Sequence, residues 1–438
     1  MSRKNIKWLY EEIPGLISKG ILTEEDGERL RSFYGEAEGG NGLKTVLTVF
    51  GILGAILIGA GIILILAKNW SEMPRGVRTV VSFIPLLSGQ GLALYTYMKR
   101  SESIAWREGS ASFLMISIGT AISLIGQTYN IPGDFDGFVL TWMLLALPLV
   151  YLFGAAIPGI FYMVGITAWA AAAQGNNGNA LLFWVLLVLV VPFIYGKVRE
   201  DIYSNSAVFL RWALAGVLCA AIGISLEKVL PGLWIVVYSG YFSTLYLTGL
   251  QKHDEAAWWQ QPFKTVGALG ILIFSFLLTY EWPWKNIGWN YYRHSEGFNE
   301  AAGYFDLIIA AAVILIALSM LYKILKRKDY FSAAYGSLAV VSTIGFVLAQ
   351  YTDPVAVTII LNLYLFGLGI YTVVKGIGDM KLGTTNGGML IIALLAVIRF
   401  FDYDIEYLVR GIAFILAGAG FLACNVVLLR KRGKKNEK

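Results

Sequence analysis

Apolar and polar positions alternate along this chain on the length scale of a bilayer. From Leu43 onward, apolar runs of about 20 residues, the length a helix needs to cross the hydrocarbon core, are separated by short polar connectors. The pattern predicts about fourteen spans, at approximately 43–67, 78–98, 110–128, 137–153, 155–173, 179–196, 207–226, 230–250, 262–281, 303–322, 331–350, 354–374, 383–400 and 407–429. Pro148, Pro158 and Pro192, together with short connectors, leave the span count between 137 and 196 open. Ahead of the spans, Trp8, Leu9, Ile13, Leu16 and Ile17 recur at helical spacing. Lys19-Gly20 breaks that run, and Thr23 stands where it can cap a second helix, Glu24 to Tyr34. The expected organisation is therefore a helical hairpin over 1–42, a multispan domain over 43–429 and a basic tail over 430–438. The fold class is all-α, a polytopic transmembrane helix bundle.

Composition agrees with this pattern. Hydrophobic residues make up 57% of the 438 positions and charged residues 15%, whereas a soluble domain carries about 45–50% apolar and about 25% charged residues, so an ordinary globular enzyme is excluded. Aromatic residues, at 14%, suit a chain that crosses many membrane–water interfaces. Cys219 and Cys424 both lie in apolar runs and read as small core hydrophobes, which leaves no disulfide or zinc framework.

The net charge of +6 would suggest nucleic acid until the basic residues are placed. With the N-terminus inside, 26 of the 35 Lys and Arg fall in inner segments and six in outer loops, while Arg211, Arg399 and Arg410 sit at span ends. That asymmetry is the positive-inside rule, so both termini are expected in the cytoplasm. Runs such as Lys323 to Lys328 and Arg430 to Arg432 then face anionic lipid headgroups, and nucleic acid is not expected as a partner. Residues 1–42 have neither the apolar core run nor the cleavage site of a signal peptide. The hairpin reads foremost as an amphipathic anchor on the bilayer surface, and otherwise as a docking module for a cytoplasmic protein.

Buried ionisable groups at mid-span would mark a proton or ion path, and no central stretch holds one. Ser88-Gly89-Gln90, and Asn362 with Tyr364, supply the polarity near the midplane, and such groups usually bond neighbouring helices. The outer ends of the spans are richer. Gly126 to Gly137 is a turn-forming stretch with Asp134 and Asp136 two residues apart. The run Gln350 to Pro354 carries Asp353, Arg399 to Glu406 carries Asp402 and Asp404, Arg410 opens the last span, and Asn69 and Trp70 end the first. Asn69, Trp70, Gln127, Tyr129, Asn130, Asp134, Asp136, Asp353, Arg399, Asp402 and Arg410 are the candidate substrate-binding residues. Converging, they would form an outer vestibule whose two Arg groups could grip a carboxylate or phosphate. The alternative is a set of ion pairs tying helix ends together.

The outer loop from Glu281 to Glu300 places Trp282, Trp284, Trp289, Tyr291 and Tyr292 ahead of Arg293-His294, either to pack sugar rings or a lipid headgroup, or as an interfacial aromatic belt. His253 belongs to an inner loop, so no histidine metal cluster is available. There is no P-loop, nucleophile elbow or dinucleotide fingerprint, and neither a cofactor nor a metal is expected. Gly51, Ala55 and Gly59 in the first span, and Ala413, Ala417, Gly418 and Gly420 in the last, form small-residue stripes that let helices pack closely, within one chain or between copies as a homo-oligomer.

Several of these segments also carry a family likeness: Gly20-Ile21-Leu22, Ala67-Lys68-Asn69-Trp70, Gly126-Gln127-Thr128-Tyr129-Asn130 through Gly133-Asp134 with Trp142 behind it, and Arg399-Phe400-Phe401-Asp402. By them the chain resembles the bacterial predicted-membrane-protein family called domain of unknown function 2157, over residues 1 to about 150 and beyond that mainly by span pattern. The resemblance implies a polytopic membrane protein and no particular activity. The leading expectation is a protein that binds or transports a small molecule or envelope lipid through the outer vestibule. The others are an envelope glycan or lipid transferase using Asp134 and Asp136, with His294 and Arg293 on the aromatic loop, and a non-catalytic scaffold or sensor; the balance leans away from an enzyme.

Overall fold

The computed structural model describes residues 3–34, 68, 70–250, 257–287, 301–400 and a few positions between 408 and 420. Among the described residues all regular structure is helical. The chain divides into two units, Met1–Arg78 and Thr79–Lys438.

In the first unit, α1 (Arg3–Ser18) and α2 (Glu24–Tyr34) flank a turn that Gly20 makes in the left-handed region, φ +71°, open to a residue without Cβ. The close of the turn is a reciprocal cap. The Asp26 amide donates to Thr23 Oγ1 (3.1 Å), and the Thr23 amide and hydroxyl donate to Asp26 Oδ2 (3.4 and 2.6 Å). Ile13 is buried where α1 meets Gly27, at which a Cβ would come within 3.2 Å of its Cγ2. The Thr23 hydroxyl holds the Asp26 carboxyl below the usual carboxylate range. Because the folded value is the lower one, this cap contributes above the unfolded carboxylate value and is lost as pH falls through the folded value. Hydrogen exchange of 24–34 should therefore be faster in Asp26→Asn than in the parent at neutral pH and equal in both at strongly acid pH. A difference that persists in acid would refute the charged cap. Further along, Arg78 closes a short 3-10 turn at Trp70–Glu72 by donating to the Met73 and Ser71 carbonyls (2.8 and 2.7 Å).

The second unit takes up α3 (Arg75–Lys99) beyond its first turn and continues with α4 (Ile104–Tyr129), α5 (Phe135–Phe153), α6 (Ala156–Gly175), α7 (Leu182–Glu200), α8 (Asn205–Ser225), α9 (Trp234–Gly249), α10 (Pro262–Leu278), α11 (Glu281–Asn286), α12 (Ala301–Lys326), α13 (Tyr330–Gly336), α14 (Leu338–Tyr351), α15 (Pro354–Gly378) and α16 (Leu382–Phe400). Among the described residues, nine helices are long and apolar enough to cross a membrane, or ten if the bent pair α13 and α14 is one span. The spans expected at 43–67 and 407–429 lie outside the described residues, apart from isolated helical positions in the second. Those expected at 230–250 and 262–281 are shorter helices of 16 and 17 residues. At the start of the first of these stretches, Leu230 and Leu233 lie in the turn ahead of α9 and are buried. Between 137 and 196 there are three separate helices. Pro148 and Pro192 lie inside α5 and α7, and Pro158 falls in the first turn of α6, where no amide partner is lost.

The interior is built from two main clusters. One, with Met143, Tyr162, Ile166, Phe183 and Leu210, joins α4 to α8; the other, with Ile235, Leu247, Ile271, Trp284 and Leu361, joins α8 to α15. Trp184 packs on both. Fully buried positions include Ser82, Ser239, Ser342 and Thr385, whereas Val188, Leu315 and Leu363 are exposed by 64%, 65% and 66%. Small polar groups among the apolar interior and branched aliphatics on the outside are what helices solvated by lipid allow.

Where the helix breaks between α13 and α14, with a bend of 40°, neighbours bond the freed backbone. Tyr364 on α15 donates to the carbonyls of Ala334 (2.9 Å) and Tyr335 (3.3 Å), and Ser243 Oγ on α9 accepts from the Ala339 amide (3.1 Å). Backbone irregularity inside a membrane needs such partners, because lipid offers none. Of the two expected small-residue stripes, the first lies outside the described residues. The described members of the last stripe, Gly418 and Gly420, have open space around them. By contrast, a Cβ on Gly119 would lie 2.5 Å from Trp142, whose Nε1 donates to the Met115 carbonyl (2.7 Å) and so locks α5 onto α4.

Candidate functional site

Several of the expected site residues of the second unit bond helix ends. Asn130 is the left-handed cap of α4 (φ 48°), and the next amide, Ile131, donates to the Gly126 carbonyl (3.0 Å). Gln127 and Tyr129 are exposed beside it, the Tyr129 hydroxyl bonding Thr79 Oγ1 (3.0 Å) at the start of α3. Asp134 occupies the N-cap position of α5 without a side-chain cap bond, and Asp136 accepts from Asn176 Nδ2 (2.9 Å) beyond the end of α6. Asp353 caps α15 by accepting from the Val355 amide (3.0 Å). Arg399, at the end of α16, donates to Thr279 Oγ1 (2.8 Å) and lies 4.5 Å from the centre of the Tyr280 ring. Asn362 donates to the carbonyls of Thr279 (3.2 Å) and Thr358 (2.8 Å), so Arg399 and Asn362 meet on Thr279, where α10 ends. Trp70 lies in the first unit, in its 3-10 turn. Asn69, Asp402 and Arg410 are outside the described residues, as are His253, Arg293 and His294. In the aromatic loop, Trp282 is exposed while Trp284 is buried, its Nε1 donating to the Leu278 carbonyl (2.8 Å).

Concave space occurs elsewhere, in a cavity of about 660 Å³ among α6, α8, α9 and α10. Its walls are largely apolar, with Ala171, Ile224 and Phe274, and its polar edge is made by two side chains. Gln174 near the end of α6 donates through Nε2 to Glu227 Oε2 (2.9 Å) in the turn after α8. Trp234 and Tyr238, one turn apart at the start of α9, stack with ring centres 6.0 Å apart and an interplanar angle of 21°. Tyr238 is fixed by its hydroxyl, which donates to the Cys219 carbonyl (3.0 Å). The volume falls in the range of about 300–1,000 Å³ typical of ligand sites, and apolar walls with a few directed polar groups are their usual chemistry. None of these residues is in the expected set. The readable signal was the i, i+4 aromatic pair beside Gln174 and Glu227 at span ends, but which span ends are neighbours is a property of the packing.

Long apolar helices with lipid-type outer faces and internally bonded polar groups define an all-helical polytopic membrane protein. Residues 14–159 match the model of a family described as predicted membrane protein, DUF2157. That stretch runs from the first hairpin helix into the start of α6, and so contains Gly126 to Asp134 and Trp142 but not Arg399. Neither a curated protein nor a solved structure matches the chain.

Proposed function

We propose that this chain is a multi-pass protein of the bacterial cytoplasmic membrane, with both termini cytoplasmic, that binds a small amphiphile at the outer end of α6, α8, α9 and α10. The observation that carries the reading is the open cavity of about 660 Å³, mostly apolar in its lining, with Gln174 and Glu227 as its polar pair beside Trp234 and Tyr238. An apolar tail suits the walls, and a polar head suits the edge. The excess of Lys and Arg in alternate connectors supports the orientation, which places this edge on the outer side. The reading keeps binding from the outer face and moves it from the Asp134, Asp353 and Arg399 segments, where Asp136, Asp353 and Arg399 bond helix ends, to the cavity.

The test uses the full chain in lipid nanodiscs and a twelve-carbon alcohol carrying a photoreactive diazirine in its tail. Labelling should concentrate on the wall segments from Gly223 to Tyr238 and fall at least tenfold in Ala171→Trp, which fills the cavity from α6. Uniform labelling of lipid-facing helices, unaffected by Ala171→Trp, would overturn the reading.

A further inference from the structure

The charge of the cavity edge goes further than its shape. Among the described residues of the lining, Glu227 is the carboxylate and none is Lys or Arg. Lys228 follows in sequence, yet its side chain is exposed and outside the lining, and Lys285 on α11 is engaged with Glu281. The carboxylate is aimed by the Gln174 amide, which occupies one of its oxygens at 2.9 Å. The same lining includes the Trp234 and Tyr238 rings, and aromatic faces carry the negative lobe of the ring quadrupole. A carboxylate and two aromatic rings in one lining complement a positive head, while an anionic head would meet Glu227 with like charge.

We infer that the cavity is selective for amphiphiles with an ammonium head, primary or quaternary, held by Glu227 and by the faces of Trp234 and Tyr238. The inference rests on the proposed amphiphile site and assigns its ligand class.

It is tested with three photoreactive twelve-carbon probes of identical tail, bearing a trimethylammonium, hydroxyl or sulfate head, on the full chain in nanodiscs of phosphatidylglycerol. The ammonium probe should half-saturate labelling of the Gly223 to Tyr238 segment at a concentration at least tenfold below the hydroxyl probe, and the sulfate probe should require the most. Glu227→Gln should bring the ammonium probe to the level of the hydroxyl probe while leaving hydroxyl labelling in place, which shows that the variant is folded. Nanodiscs containing phosphatidylethanolamine should depress labelling by the ammonium probe if the occupant is a bilayer lipid and leave it unchanged if the occupant is a free amine amphiphile; the ammonium assignment holds in both. Equal labelling by the three heads, or a preference that survives Glu227→Gln, overturns the inference and leaves the amphiphile site standing. If no probe labels the cavity, the amphiphile reading itself fails.

Discussion

Replacing Asp306 with alanine should destabilise the folded protein by about 3–5 kcal/mol, since the change removes a charged acceptor from donors that are themselves buried. Asp306 is fully buried near the start of α12 and accepts from the Gly232 amide (2.8 Å) and the Leu233 amide (3.0 Å), the residues that lead into α9. Those amides point at the carboxylate with the positive end of the α9 dipole behind them. Asp306→Asn should cost less, because the amide oxygen still accepts while the charge is gone. The readout is the midpoint of unfolding in mixed micelles titrated with denaturing detergent. An unchanged midpoint in Asp306→Ala would show that the α9 entry is held by packing alone. Asp306 is a buried anchor because α12 and α9 pack side by side.

The second large effect is expected at the turn between α5 and α6. Glu108 on α4 accepts from the Ala156 amide (2.7 Å) and the Ile157 amide (2.8 Å), the first two of α6. Its neighbour Arg107 donates to the Phe153 carbonyl (3.3 Å), the last of α5. Adjacent residues of opposite charge thus serve the two helix ends of one tight turn, acid on amides and base on carbonyl, with Gly154 at φ +57° allowing the reversal. Glu108→Ala should cost about 2–4 kcal/mol, and Glu108→Gln about half as much, in the same titration. Hydrogen exchange should speed up most at 156 and 157. Uniform acceleration across the bundle, with no focus on α6, would contradict this local role. The Glu108→Ala loss should stay below that of Asp306→Ala, because the Glu108 carboxylate is only half-buried.

Helix positions were legible from hydropathy wherever the chain meets lipid on a long face, as in α4, α8, α12 and α15. The signal weakened where neighbouring protein takes the place of lipid. Trp284 illustrates this: an outer-loop tryptophan reads as an interfacial ring, yet it is buried with its indole bonded to the Leu278 carbonyl. The break after Gly336 left no mark in the apolar run either, since Tyr364 and Ser243, which make it tolerable, come from other helices.

The candidate site divides in the same way. Asn130, Asp134 and Asp353 could be read as turn and cap residues from local chemistry, and they sit at helix ends as that chemistry requires. Partnerships such as Asp136 with Asn176, Arg399 with Thr279 and Gln174 with Glu227 join positions 40, 120 and 53 residues apart, which no local pattern encodes.

What the sequence determined by itself is the class of molecule and the places where helices begin and end, because transfer of apolar side chains to lipid is nearly additive and caps are local. Tertiary structure alone decided which helix ends meet, which charged groups become buried anchors, and where a cavity remains. Those outcomes depend on close packing between residues far apart in the chain, where one small residue such as Gly119 or one turn such as Pro231-Gly232 sets the approach of whole helices.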